Sequence, residues 1–132
     1  MTLVDTSAWV EMLRATESPT HVALRDLIAG AEEIAITEPV VMELLAGAQS
    51  TGDAAAIRAR LLACEMLPVS GLETYESAAI VYQTCRSAGE TPRRMMDCLI
   101  AAVAIRSDAT LLHRDDDFEM IGRHTELSEI SA

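Results

Sequence analysis

Lysine is missing from the 132-residue chain; all ten basic residues are arginine. Chemistry that depends on a lysine nucleophile, a Schiff base or a phosphate-clamping lysine is therefore excluded, and P-loop nucleotide hydrolases with it. Asparagine is absent as well. Aromatics make up only 3 % of the residues, namely Trp9, Tyr75, Tyr82 and Phe118. That is too few for a sugar-binding platform, an RNA-binding sheet paved with stacking rings, or an aromatic cofactor cage. The cysteines, Cys64, Cys85 and Cys98, are widely spaced and form no Cys-x-x-Cys pair. This disfavours zinc and a disulfide framework and leaves them as small core hydrophobes. No apolar run approaches the ~18 residues that span a bilayer, and the N-terminus has neither a basic region nor the long apolar stretch of a signal peptide. A cytoplasmic protein without a membrane segment is the expectation.

Half of the residues are hydrophobic, enough to bury a core without disulfide staples, and no repeat or linker divides the chain. One domain over residues 1–132 is expected. Short apolar runs rich in branched residues fall at Thr2 to Asp5, Ile34 to Thr37, Met66 to Val69 and Thr110 to His113. Between and after them come stretches with helical spacing: Ser7 to Ala15, His21 to Ala31, Glu38 to Ala48, Asp53 to Cys64, Leu72 to Ala88, Met95 to Arg106 and Asp116 to Arg123. Strands separated by helices predict an α/β fold with a parallel sheet covered on both faces. Thr6 or Ser7 suits the cap of the first helix, Pro39 suits a first turn, and Gly47 and Gly89 suit helix ends.

Most of the 21 acidic residues need only a solvated helix face to explain them, but a few do not. Asp5 closes the first strand, either capping the next helix or standing at the carboxyl edge of the sheet, where open α/β folds bind ligands. Glu43 sits inside Val40-Val41-Met42-Glu43-Leu44-Leu45, on a narrow polar stripe or aimed into a cleft. Asp97 opens the most apolar helix, Cys98 to Ile105, where the helix dipole favours its charge but burial requires a partner. Asp115, Asp116 and Asp117 follow the last strand directly; alternation would turn Asp115 and Asp117 one way and Asp116 to solvent. His113 has no second histidine or cysteine near it and is read as structural.

In a parallel sheet these acids share one edge. Carboxylates converging without a counter-charge repel, and some must take up protons. A divalent cation removes that penalty. The all-oxygen set suits a hard ion such as Mg²⁺ or Mn²⁺, which shares phosphate oxygens with a substrate, so phosphodiester hydrolysis is the natural chemistry.

Four stretches together resemble the PIN-domain ribonucleases, specifically the VapC-type toxins of toxin–antitoxin pairs. They are Val4-Asp5-Thr6-Ser7-Ala8-Trp9, Met42-Glu43-Leu44-Leu45-Ala46-Gly47, Asp97-Cys98-Leu99-Ile100-Ala101-Ala102 and His113-Arg114-Asp115-Asp116-Asp117-Phe118. They occur in the family's order and cover nearly the whole chain. The resemblance implies a PIN-like three-layer sandwich whose central, mostly parallel sheet is flanked by helices. It implies an endoribonuclease dependent on Mg²⁺ or Mn²⁺, with Asp5 and Asp97 holding metal, Asp115 and Asp117 completing the cluster, and Glu43 assisting through water or as general base. Thr6 or Ser7 would orient Asp5. It also implies homodimerisation and a small VapB-type antitoxin that occupies a hydrophobic groove and offers a basic side chain to the acids. Trp9, Met12, Leu13, Met42 and Leu45 are candidates to line that groove, with core packing the expectation for most of them.

A formal charge of -11 opposes binding of a polyanion, so the distribution of charge matters. Residues 1–85 hold 4 Arg and 12 acids, and residues 86–132 hold 6 Arg and 9 acids, giving -8 and -3. Arg86, Arg93 and Arg94 precede the Asp97 helix and Arg114 adjoins the last acids, so these four are the candidates to grip RNA phosphates. A phosphoacceptor of receiver or haloacid-dehalogenase type also places aspartates at a sheet edge, but both rely on a lysine. A non-catalytic interaction module with the same fold is the other alternative.

Overall fold

The structure, a computed structural model, describes residues 1–131. Five short strands form one sheet in the order β3-β2-β1-β4-β5: β1 (Thr2–Val4), β2 (Ile34–Ile36), β3 (Glu65–Met66), β4 (Thr110–His113) and β5 (Glu129–Ser131). Every pairing is parallel, so the sheet is wholly and not merely mostly parallel. The helices α1 (Thr6–Leu13), α2 (Pro19–Ala29), α3 (Glu38–Ala46), α4 (Thr51–Leu62), α5 (Leu72–Ser87), α6 (Met95–Arg106) and α7 (Asp116–His124) connect and cover it. Leu3, Val4, Ala35, Ile36, Leu111 and Leu112 are sealed between the layers. This is why their strands read as continuous apolar runs rather than alternating ones.

The chain leaves β1 towards β2 on one side and returns through β4 on the other. The carboxyl ends of β1 and β4 therefore flank the point where the strand order reverses, the crevice position of open α/β sheets. The register sets Val4 beside Leu112, and the Asp5 N–H donates to the Leu112 carbonyl at 3.0 Å. Asp5, one residue past β1, and Asp115, two residues past β4, consequently emerge together.

Asp5 itself caps α1, in place of the expected Thr6 or Ser7, because its extended backbone lets Oδ2 accept from the Ser7 N–H. Helix α6 is buried continuously from Asp97 to Ala104, as its apolar run requires, and packs against α5, α7 and β4. Gly89, at φ 90° just beyond α5, reverses the chain in a left-handed conformation that a side chain would strain, delivering Arg93 and Arg94 to the start of α6.

β5 has no counterpart among the predicted strands. β3 is shorter than the predicted Met66 to Val69 and begins at Glu65; Val69 instead donates its N–H to Glu38 Oε1. Among the described residues no helix is long and apolar enough to cross a membrane.

Candidate metal centre

Helix α6 starts where the Arg94 cap ends, which places Asp97 in its first turn with only 2 % of its surface exposed. Asp115 caps α7 by accepting the Asp117 N–H at Oδ1, and that turn swings Asp117 back beneath it. One oxygen from each of Asp97, Asp115 and Asp117 lies within 4.8 Å of the others. Asp116 points to solvent. Both Asp115 and Asp117 therefore join Asp97, whereas Asp5 and Glu43 are not part of this tight set.

Asp5 and Glu43 line the adjoining cleft of about 340 Å³ together with Thr6, Ser7, Glu11, Arg94 and Arg114. Ser7 orients Asp5 by donating its N–H and its hydroxyl to Oδ2, at 2.9 and 2.6 Å. The same hydroxyl accepts the Arg114 N–H at 2.9 Å, tying the end of β1 to the end of β4. The Thr6 hydroxyl turns the other way and donates to Glu43 Oε1 at 2.8 Å. Of the two hydroxyls, then, Ser7 positions Asp5 and Thr6 positions Glu43.

The arginines are turned inward. Arg93 donates its backbone N–H to Asp117 Oδ2 and its side chain to Asp117 Oδ1 and Asp115 Oδ1. Arg94 spans Asp97 and Asp115. Both side chains remain more than half exposed. Arg114 pairs with Glu11, and Arg86 lies over the Tyr82 ring on α5, outside the cleft lining. The segment before α6 is latched to α7 through Glu90, which accepts from Arg123 and lies 2.8 Å from His124 Nε2. Glu11 and Glu90 were not among the sequence candidates. Glu11 stands four residues after Ser7, one helical turn along the same face, which was the available signal.

Burial dominates the electrostatics. It pushes the Asp97 carboxyl up to about 7 against the opposing pull of Arg94, with the Asp115 and Asp5 charges adding to the rise. Asp5 is raised too, by burial first, opposed by its bonds to Ser7 and Thr6 and assisted by Glu43. Two arginines do not satisfy this many carboxylates, and the donor set is all oxygen. A hard divalent cation fits it.

Among the predicted groove residues, Trp9 is core and Met12 and Leu45 are partly buried, whereas Leu13 and Met42 are exposed. Leu13 lines a second cleft with Val10, Leu44 and Ile57 that opens onto Thr6 and Glu43. Met42 lines another with Tyr75, Met96 and Leu99.

Comparison with known proteins follows the same outline. The PIN domain family matches residues 2–123. Ribonuclease VapC11 of Mycobacterium tuberculosis and a VapC ribonuclease of Mycobacterium bovis are each 43% identical over 132 residues, covering 99% of this chain and 98% of the relative. Among solved structures, VapBC2 from Rickettsia felis, bound to a promoter DNA fragment, aligns with a TM-score of 0.76 at 20% identity, covering 98% of this chain and 96% of that one. VapC20 of Mycobacterium tuberculosis, a sarcin–ricin-loop-cleaving toxin, aligns with a TM-score of 0.71 at 20% identity, covering 97% of this chain and 99% of that one. The chain belongs to the PIN domain family and, within it, to the VapC-type ribonucleases.

Proposed function

We propose that this chain is a Mg²⁺- or Mn²⁺-dependent endoribonuclease acting in the cytoplasm as the toxin of a toxin–antitoxin pair. The observation that carries the reading is the convergence of Asp97, Asp115 and Asp117 beside Asp5 and Glu43 at the strand-order reversal. The VapC relatives support the ribonuclease activity. Asp97, Asp115 and Asp117 would hold the cation, with Asp5 lining the adjoining cleft. Bound there, a hard divalent cation supplies Lewis acidity to a phosphoryl oxygen and to water. Glu43, fixed by Thr6, would take the proton of the attacking water; the water oxygen joins phosphorus as the bond to the ribose oxygen breaks, and that oxygen takes up a proton from bulk water. Arg94 and Arg114 line the same cleft and counter the charge of the RNA backbone locally, although the whole chain is acidic.

The cleft lined by Val10, Leu13, Leu44 and Ile57 is the seat for a VapB-type antitoxin, because it sets an apolar wall beside Arg14, Gln49 and Asp53 and leads directly to Glu43. A basic antitoxin side chain reaching over Thr6 would meet the acids. Homodimerisation accompanies this arrangement.

The test is incubation of the purified protein with structured RNA and Mg²⁺ or Mn²⁺, with and without EDTA, beside Asp97→Asn and Asp5→Asn. Cleavage lost with chelator and in both variants is the expected result. RNA or antitoxin binding with no metal-dependent cleavage would make the protein a non-catalytic interaction module.

A further inference from the structure

His113 ends β4 with no exposed surface and is not part of the acidic set. Its Nδ1 accepts the backbone N–H of Asp115 at 3.1 Å. That bond closes the turn between the strand and α7, and the turn aims the Asp115 carboxylate at Arg93, Arg94 and the other acids. An Nδ1 that accepts carries no proton, so the neutral ring bears its proton on Nε2. Nε2 is buried without a hydrogen-bond partner and lies 3.6 Å from Glu129 Oε1 on the neighbouring strand β5. Phe118 packs against the ring, with centroids 5.3 Å apart. Space for Glu129 comes from α7: a Cβ on Gly122 would stand 3.0 Å from Glu129 Cγ.

We infer that His113 is a positioning residue for Asp115, its bare Nδ1 holding the Asp115 amide while its Nε2 side faces the Glu129 carboxylate, for which Gly122 leaves room. The inference rests on the metal-binding reading only in giving Asp115 a ligand's role; the Nδ1 hydrogen bond itself is independent of it. A ring that merely filled the core would have no need of an acceptor at Nδ1. Here the acceptor fixes the Asp115 backbone amide at the start of the turn, and the Asp117 N–H holds the carboxylate from the other side.

Two measurements on the full chain test this. Long-range ¹H–¹⁵N correlation spectra of the wild-type protein at pH 8 in EDTA are expected to show His113 protonated on Nε2 and bare on Nδ1; the opposite tautomer overturns the inference. His113→Asn, whose amide oxygen can replace the Nδ1 acceptor, is then compared with His113→Phe, which keeps a ring without one. His113→Phe should speed Asp115 amide exchange and weaken Mn²⁺ binding by on the order of 10- to 100-fold, as for lost support behind a ligand. His113→Asn should stay close to wild type in both. Equal effects of the two variants, or unchanged Asp115 exchange in His113→Phe, would reduce His113 to packing. If His113→Phe does not fold, the tautomer and the Asp115 exchange in His113→Asn decide the matter. Failure of the wild-type protein to bind Mn²⁺ would instead sink the metal reading, and the tautomer and exchange results would still judge His113.

Discussion

Arg94 Nη2 stands 3.2 Å from Asp97 Oδ1 and 3.0 Å from Asp115 Oδ2, so one guanidinium bridges two of the three clustered acids. A divalent cation held by the same oxygens competes with this tether. Replacing the arginine should therefore strengthen cation binding while leaving the acids less well balanced when chelator is present. For Arg94→Gln, Mn²⁺ titration is expected to show several-fold tighter binding. Melting in EDTA should show a loss of about 1 kcal/mol or less, since the side chain is half exposed and such pairs are screened. RNA affinity should fall and its salt dependence flatten by about one phosphate contact. Weaker Mn²⁺ binding in the variant would mean that Arg94 supports the ion instead of competing with it.

Inward-turned arginines could not be read from the sequence. Spacing told that Arg93 and Arg94 precede the Asp97 helix, but which way a long side chain folds depends also on carboxylates more than twenty residues away, Asp115 and Asp117. The acids were legible for the opposite reason: a short side chain at a strand end or a helix first turn has little freedom, so Asp5, Asp97, Asp115 and Asp117 are placed by their backbones. Helix α6 was bounded correctly because its apolar run and its flanking Arg94 and Ser107 agree on where it stops. Helix α2 starts two residues before the predicted His21, because Ser18 caps it and Pro19 fits its first turn, a signal that the apolar periodicity alone does not carry. β5 was invisible since Glu129, Ile130 and Ser131 form a three-residue edge strand with one half-exposed apolar side chain. That strand supplies Glu129, and so the carboxylate facing His113 was hidden too.

Protonation of Asp97 gives the site a pH dependence whose sign is fixed. Its carboxyl titrates at about 7 in the folded protein, above its ordinary value of 3.8, chiefly because it is buried. Below pH 7 a cation must displace that proton, so Mn²⁺ affinity should fall by up to tenfold per pH unit, with close to one proton released per ion at pH 6 and few at pH 8.5. Calorimetry in buffers of different ionisation heat measures this. Without cation the same shift stabilises the fold on acidification. The contribution is complete below about pH 4, where the unfolded chain also takes up the proton, and it is lost as pH rises through about 7. Asp97→Asn should remove this component from melts run in EDTA between pH 5 and 8. An unchanged pH profile in that variant would place the titration elsewhere.

Thr6 offers a way to separate Glu43 from the cation-binding acids. Its hydroxyl is bonded to Glu43 Oε1, while Asp5 is held by Ser7 and the other three aspartates by Arg93, Arg94 and the α7 turn. Thr6→Val keeps the branched shape and removes only the donor. Losing one hydrogen bond to a charged group corresponds to about 1.5–3 kcal/mol, or roughly 10- to 100-fold in rate if the whole of it falls on the reacting state. Cleavage kcat should drop within that range, with Mn²⁺ affinity and RNA affinity left near wild type. A loss of Mn²⁺ binding as large as the loss of rate would show that Glu43 belongs with the cation ligands, and an unchanged kcat would remove it from the reaction altogether.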